Sequence, residues 1–456
     1  MSYRLSQVAA YDPQIILNPS RQQVQVKRTR IAIWYFRHMP HSTTPPLWRT
    51  TAISALGGIF EFYDFVIFAI FAPQIGAAFF PADTGTPTAT LKAFAIFAVG
   101  YFARPFGGIL WAHVADRRGR AYVFSHTVLG MAATTLLIGL LPGYATLGIA
   151  APILLVVLRL LQGMALGGEI PASLCWLSEH AGPRRAGIAT AVLLAGVNSG
   201  LLLGQSVALM IETIFGHGHA YAWAWRLAFV FGSCIGVFAY FMRRHVRETE
   251  AFSVLCTSGK IDKLPLRTLL QKSPRSIIAG FLMCSVHAWV VAALYLALPS
   301  FLVHNCGIAQ STADATALVS SGIASVIYVI SGWLADRIGA KKVCVCALVA
   351  MVAAALPAYS AVVNVGVAPL VMLGAVCAVF IGAYLGLLPR LFPPSVRVSG
   401  IAISYDGASA IVGGTGPFLM LLAADHWGPQ GVAGLLIFIA ICGIAGVLIS
   451  PNQELS

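Results

Sequence analysis

Charge is what this chain has least of. Only 10% of its 456 residues are Asp, Glu, Lys or Arg, against about 25% in a soluble domain. At 58% hydrophobic residues, a water-soluble globular fold is excluded. Apolar–polar alternation is also missing, which excludes a membrane β-barrel. There is no Gly-x-x-x-x-Gly-Lys phosphate loop, no His-Glu-x-x-His and no acidic pair in a surface loop with evident catalytic geometry, so no enzyme class and no cofactor are expected. Nine cysteines are present, most of them inside apolar runs (Cys234, Cys284, Cys377, Cys442), and Cys344-x-Cys346 has no nearby His. They read as small buried hydrophobes in a reducing compartment, with no metal site. Residues 1–48 carry Arg21, Lys27, Arg28 and Arg30 but no apolar core, so they are not a secretory signal. They read as a disordered leader, or as a mis-assigned start with Met39 as the true one.

What is present is a series of continuous apolar blocks, most about 20 residues long or more, the length that spans a bilayer as a helix. They cover 47–80, 91–114, 121–141, 147–177, 186–215, 222–242, 276–303, 313–334, 343–363, 367–388, 399–423 and 431–449. Backbone in lipid must satisfy its own hydrogen bonds, so these are helices. The expected fold is an all-α membrane protein with twelve transmembrane helices. Its expected parts are a leader (1–48), an N-terminal six-helix bundle (49–242), a central loop (243–275) holding a short surface helix, a C-terminal six-helix bundle (276–450) and a tail (451–456).

The net charge of +13 does not point to nucleic acid, because the cations fall in alternate gaps. Arg117, Arg118 and Arg120 share one gap and Arg184 and Arg185 another. Arg243, Arg244, Arg247, Lys260, Lys263, Arg267, Lys272 and Arg275 share the central one. Arg337, Lys341 and Lys342 follow, then Arg390 and Arg397. The intervening gaps at 81–90, 142–146, 216–221, 304–311 and 424–430 contain no Lys or Arg. By the positive-inside rule, both termini and the central loop are expected in the cytosol.

The two halves repeat each other. Ala115-Asp116-Arg117-Arg118-Gly119-Arg120 after the second block matches Ala335-Asp336-Arg337-Ile338-Gly339-Ala340 after the eighth. Arg185-Ala186-Gly187-Ile188 opens the fifth block and Arg397-Val398-Ser399-Gly400 the eleventh. Parallel repeats of this kind are a mark of secondary transporters.

The Asp-Arg-x-Gly-Arg turn resembles the signature of the major facilitator superfamily. An ordered series narrows the likeness to its metabolite:proton symporter family. The series is Phe60–Phe65 (FEFYDF) with Phe79-Phe80-Pro81, Arg104-Pro105-Phe106-Gly107-Gly108, Arg159–Gly163 (RLLQG) with Gly167-Gly168-Glu169, and Trp225-Arg226. It continues through Arg247–Phe252 (RETEAF), Leu391–Arg397 (LFPPSVR), Gly413-Gly414 and Pro417. The resemblance implies two six-helix bundles, alternating access, and protons moved with a small organic acid or, alternatively, a zwitterion such as proline or betaine. Export by the same fold is a further alternative. It also implies a plasma (inner) membrane location and function as a monomer. Ala112, Ala115 and Ala340 replace residues usual in the turn motif, and Asp406 stands where an amide is expected.

Charges inside apolar blocks are costly and mark function by default. Glu61 and Asp64, three apart, share a helix face. Two carboxyls close together among apolar walls are suited to taking up and releasing a proton, and Glu169 is read as a further step in that path or as a partner of Arg104. Arg159 and Arg104 offer planar forks for a substrate carboxylate, with Tyr405 and Asp406 as weaker substrate contacts. His287 reads as a hydrogen-bonded filler. Asp116, Arg117, Gly119, Arg120 and Glu179, with Asp336 and Arg337, are expected to form a cytosolic network holding the bundles together when the cavity faces outward.

Overall fold

A computed structural model of the chain describes residues 47–81, 86–216, 219–244, 246, 248–249, 252–254 and 265–451. Of the expected leader, only Leu47 and Trp48 fall among these, and they open the first helix. Much of the central loop and all but Pro451 of the tail lie outside the described residues.

Helices α1 (Leu47–Ile70), α2 (Thr86–Arg118), α3 (Arg120–Leu140), α4 (Ala150–Ala181), α5 (Ala186–Phe215) and α6 (His219–Arg243) form the first bundle. The second comprises α7 (Pro274–Val290), α8 (Gln310–Ile338), α9 (Ala340–Val365), α10 (Ala368–Leu387), α11 (from Arg397–Ala408) and α12. Among the described residues eleven spans emerge as separate uninterrupted helical runs, because the last run joins two. It breaks at Gly428, whose φ of 62° leaves the helical region. That break divides α11 (through residue 427) from α12 (429–449), and restores the twelve spans read from the sequence.

Helix pairing repeats between the halves. The α1–α5, α2–α4 and α3–α6 contacts of the first bundle recur as α7–α11, α8–α10 and α9–α12 in the second. Small residues set the closest approach, as is usual where lipid supplies no hydrophobic drive between helices. A side chain on Gly163 of α4 would collide with the Gly100 carbonyl of α2. The α2–α3 and α8–α9 turns reverse at Gly119 (φ 115°) and Gly339 (φ 100°), a backbone region open to glycine and strained for other residues. The short loop helix Pro265–Lys272 buries Pro265 and Leu269.

Two helices crossing the core are not regular. α7 passes into a π-helical turn at Val291–Leu296 and α11 into another at Ser409–Gly413. Such turns are rare and concentrate at functional sites. The bundles meet where α2 and α4 pack on α11 and where α5 packs on α8 and α10.

Candidate functional site

Midway along α2, Arg104 gathers two acids from different helices. Its Nη2 donates to Glu61 Oε1 of α1 at 3.1 Å, and its Nε donates to Asp406 Oδ1 of α11 at 2.9 Å. All three are buried. Asp406 belongs to the other bundle, so the group is an acid–guanidinium–acid bridge across the seam. Tyr405 supports it from the side, its ring 5.4 Å from the guanidinium carbon. The sequence offers Glu169 as a partner of Arg104; the structure gives it Glu61 and Asp406 instead.

A second cluster lies alongside. Arg159 of α4 has Nη1 3.7 Å from Asp64 Oδ2 and bonded to Gln162 Oε1 at 2.5 Å. Gln162 Nε2 donates to Thr135 Oγ1, which donates to Asp64 Oδ1, each at 2.8 Å. The guanidinium lies over Phe68, 3.5 Å from the ring centroid. Its Nε and Nη2 are buried without a hydrogen-bond partner. An unpaired buried guanidinium edge is costly, and a carboxylate would satisfy it bidentately. Glu61 and Asp64 therefore do not act as a mutually repelling pair. Each faces its own arginine, and both border one pocket with Arg159, Gln162 and Tyr101.

Between the bundles lies a polar cavity lined by Arg104, Tyr101, His287, Tyr405 and both π-turns (Val291, Ala292, Leu296, Ser409, Gly413). Its free volume of about 30 Å³ has room for a water or two and is too small for a metabolite. Leu296, which lines this cavity, packs against the apolar cluster of Phe65, Val66 and Leu201 in the first bundle. His287 Nδ1 is 2.6 Å from Tyr384 Oη, so its place is fixed by hydrogen bonding.

Glu169 sits elsewhere. Arg243 Nη1 donates to its Oε1 at 2.7 Å, and Thr127 donates to Oε2 at 3.0 Å. Arg243 also donates to the carbonyls of Ser54 and Phe124, both at 3.0 Å. It lies where a side chain on Gly57 would stand. Arg243 reads in the sequence as a loop cation; in the structure it is fully buried, tying α1, α3, α4 and α6.

On the side bearing the turn motifs, the two repeated aspartates cross the seam. Asp116 Oδ2, at the end of α2, accepts from Ser399 N at 3.1 Å and Ser399 Oγ at 2.7 Å, at the start of α11. Asp336, at the end of α8, accepts from Gly187 N and Ile188 N, both at 2.8 Å, at the start of α5. Helix N-termini hold free N–H groups and partial positive charge, which carboxylates satisfy. Glu179 accepts from Arg397 at 2.8 Å and lies 3.6 Å from Arg120. Arg120 also donates to the Pro394 carbonyl and packs on Phe252. Glu248 accepts from Ala121 N at 3.1 Å, capping α3. Arg117 and Arg337 do not join this network. Both are exposed, one 3.4 Å from His113 and the other over Trp333.

The sequence reading missed Gln162, Thr135 and Ser399 as site residues. Gln162 stood within the RLLQG motif and Ser399 opposite Gly187 in the repeated helix start, whereas Thr135 carried no signal.

Residues 50–272 match the sugar (and other) transporter family and residues 280–454 match the Major Facilitator Superfamily. The inner membrane metabolite transport protein YhjE of Escherichia coli K12 is 30% identical over 415 residues, covering 88% of this chain and 93% of that protein. A proline/betaine transporter of Salmonella typhimurium is 28% identical, covering 86% of this chain and 81% of its own. The citrate-proton symporter of Klebsiella pneumoniae is 27% identical, covering 85% and 88%. Among solved structures, the proton:xylose symporter XylE bound to 6-bromo-6-deoxy-D-glucose superposes with a TM-score of 0.73 at 16% identity, over 89% of this chain and 95% of that one. The chain belongs to the major facilitator superfamily, in its metabolite:proton symporter branch. Its fold and family are those of multi-pass membrane transporters, not of enzymes.

Proposed function

We propose that this protein is a proton-coupled symporter that imports a small carboxylate-bearing metabolite across the inner membrane by alternating access. The observation that carries the reading is the pair of buried clusters at the bundle seam, where three carboxylates share two guanidiniums. Arg159, with two unpartnered donors, takes the substrate carboxylate. Arg104 holds the bundles together while both acids on it are ionised. Glu61 and Asp64 carry protons, and Glu169 anchors the first bundle through Arg243. The Asp116–Ser399 and Asp336–α5 caps close the cytosolic side, and both termini lie in the cytosol, as the distribution of cations supports. One chain contains both bundles and acts as a monomer.

An organic acid is the first reading, and it gives the proton a clear purpose. Moving one charge against the membrane potential involves about 2.3 kcal/mol per 100 mV, so co-transported protons offset the charge of an entering anion. A zwitterion such as proline or betaine is the second reading. The extra carboxylate at Asp406 favours it, since a cationic group beside the substrate carboxylate would meet the surplus acid. The relatives named for proline/betaine and for citrate span both readings.

Uptake of citrate, L-proline and glycine betaine into proteoliposomes, driven by an imposed pH gradient, tests this. We expect accumulation of one of the three that a protonophore abolishes. Accumulation indifferent to the protonophore, or none with any of the three, refutes it.

A further inference from the structure

We propose that Asp406 is a proton-binding site that ties α11 to α2 through Arg104 when ionised and frees both the helix and the Arg104 Nε edge when protonated. The inference rests on the transporter reading above only for its purpose, not for its chemistry.

The chemistry begins with counting. Two carboxylates, Glu61 and Asp406, meet one guanidinium. A third anionic group approaching Arg104 while both remain ionised would leave three negative charges on one positive charge in a low-dielectric interior, an arrangement that a proton relieves. Each acid has one oxygen without a hydrogen-bond partner, Oε2 of Glu61 and Oδ2 of Asp406. Their surroundings differ. Glu61 borders the pocket that holds Arg159, a second cation. Asp406 Oδ2 points into a slot in α2 opened by Gly108, where a side chain would collide with it. The Gly167 carbonyl of α4 borders the same spot, 3.2 Å from where that side chain would begin. A carbonyl oxygen repels a carboxylate oxygen but accepts a hydrogen bond from a protonated one. The slot therefore suits the neutral acid, while Arg104 on the other side suits the ionised one. Such a site has two stable arrangements, as a switch requires.

The other groups around Asp406 do not substitute for it. α2 contributes Arg104 and Tyr101, and α1 contributes Glu61. α7 contributes His287, held by Tyr384 of α10, and Cys284 within electrostatic reach. α11 itself adds Tyr405. Of these, Glu61 is the one other acid, and it lies in the same bundle as Arg104. Protonating Glu61 loosens α1 from α2; protonating Asp406 loosens one bundle from the other.

The test uses the purified full chain in lipid and needs no substrate. Among the protonated-carboxyl bands that appear in acid, infrared pH-difference spectra should show one component that D406N removes and E61Q keeps. Hydrogen–deuterium exchange of residues 397–413 should rise several-fold on acidification in the wild type. In D406N it should be high and independent of pH, and D406E should restore the pH dependence. A wild-type pH response of this segment that survives in D406N, or a band lost in E61Q but not in D406N, overturns the proposal. If D406N does not fold, D406E against wild type gives the reading: an unshifted carboxyl band refutes the assignment and a displaced one supports it. Failure of the symporter reading would appear instead as absent proton-driven uptake with this pH response intact.

Discussion

Replacing Arg243 by Gln tests whether the Glu169 cluster is an anchor. Arg243 is fully buried and its Nη1 bonds Glu169 at 2.7 Å. Removing one partner of a buried pair leaves the other charge uncompensated, at a cost of about 3–5 kcal/mol. The Ser54 and Phe124 carbonyls, each 3.0 Å from the guanidinium, lose a donor at about 1 kcal/mol apiece. R243Q should therefore lose about 5 kcal/mol or more. E169Q keeps one oxygen for Arg243, and its amide N–H can donate to the Thr127 hydroxyl that had donated to the other carboxylate oxygen, but it leaves the Arg243 cation without a counter-ion, at about 3 kcal/mol. Unfolding in mixed detergent–denaturant micelles measures both, and the double variant gives their coupling, expected at about 1–3 kcal/mol. E169Q should still accumulate substrate against a gradient. If R243Q were as stable as the wild type while E169Q lost proton coupling, Glu169 would be a carrier and the anchoring argument would fail.

D116N and D336N each weaken a helix cap, at about 0.5–2 kcal/mol. Both should insert normally and raise labelling of cysteines introduced into the cytosolic half of the seam; normal uptake with unchanged labelling would refute a closing role. R159K lacks the planar fork over Phe68 and should lower uptake kcat/KM at least about tenfold, or about 1.4 kcal/mol, with wild-type thermal stability; unchanged uptake would remove Arg159 from the substrate site. G163V places a branched side chain against the Gly100 carbonyl, so it should lower the melting temperature far more than G322V on α8, whose Cβ meets open space. Equal shifts would contradict the close α2–α4 packing.

The number of spans and the kinship of the halves were legible in the sequence. Hydropathy reports a solvent, and the solvent dictates helices. The turn motif and the Arg185/Arg397 helix starts are local, so their repetition shows directly. Partner choice was not legible. Glu169 meets Arg243 across 74 positions of chain, and nothing in the spacing of either residue says that α4 and α6 adjoin. Arg243 looked like a loop cation because it is followed by other cations, yet its helix carries it inside. Asp406 showed as a departure, but its bond to Arg104 depends on the packing of two bundles. Charges announce themselves by rarity in apolar runs, whereas their pairing is a property of the assembled fold.

The two seams between the bundles differ in a way that assigns them different work. α5 and α8 run antiparallel and are joined at two levels, Asp336 to Gly187 and Asn198 to Ser325. The steps are equal, 187 to 198 on one helix and 325 to 336 on the other, about 16 Å along each axis. Both joints are hydrogen bonds without a cation, and Gly187 and Gly332 bring the backbones together. α2 and α11 are also joined twice, Asp116 to Ser399 and Arg104 to Asp406. Here the steps are unequal, twelve residues on α2 against seven on α11, a mismatch of about 7 Å that the long arginine side chain bridges. The Asn198–Ser325 joint of the α5–α8 seam contains no ionisable side chain, so in the proposed mechanism this seam is the pivot. The α2–α11 seam depends on an acid–arginine bond in a low-dielectric interior, where a proton alters the interaction most strongly. In the proposed mechanism proton binding and bundle motion therefore meet on the α2–α11 face, which Asp116 holds at one end and which is free to respond in the middle.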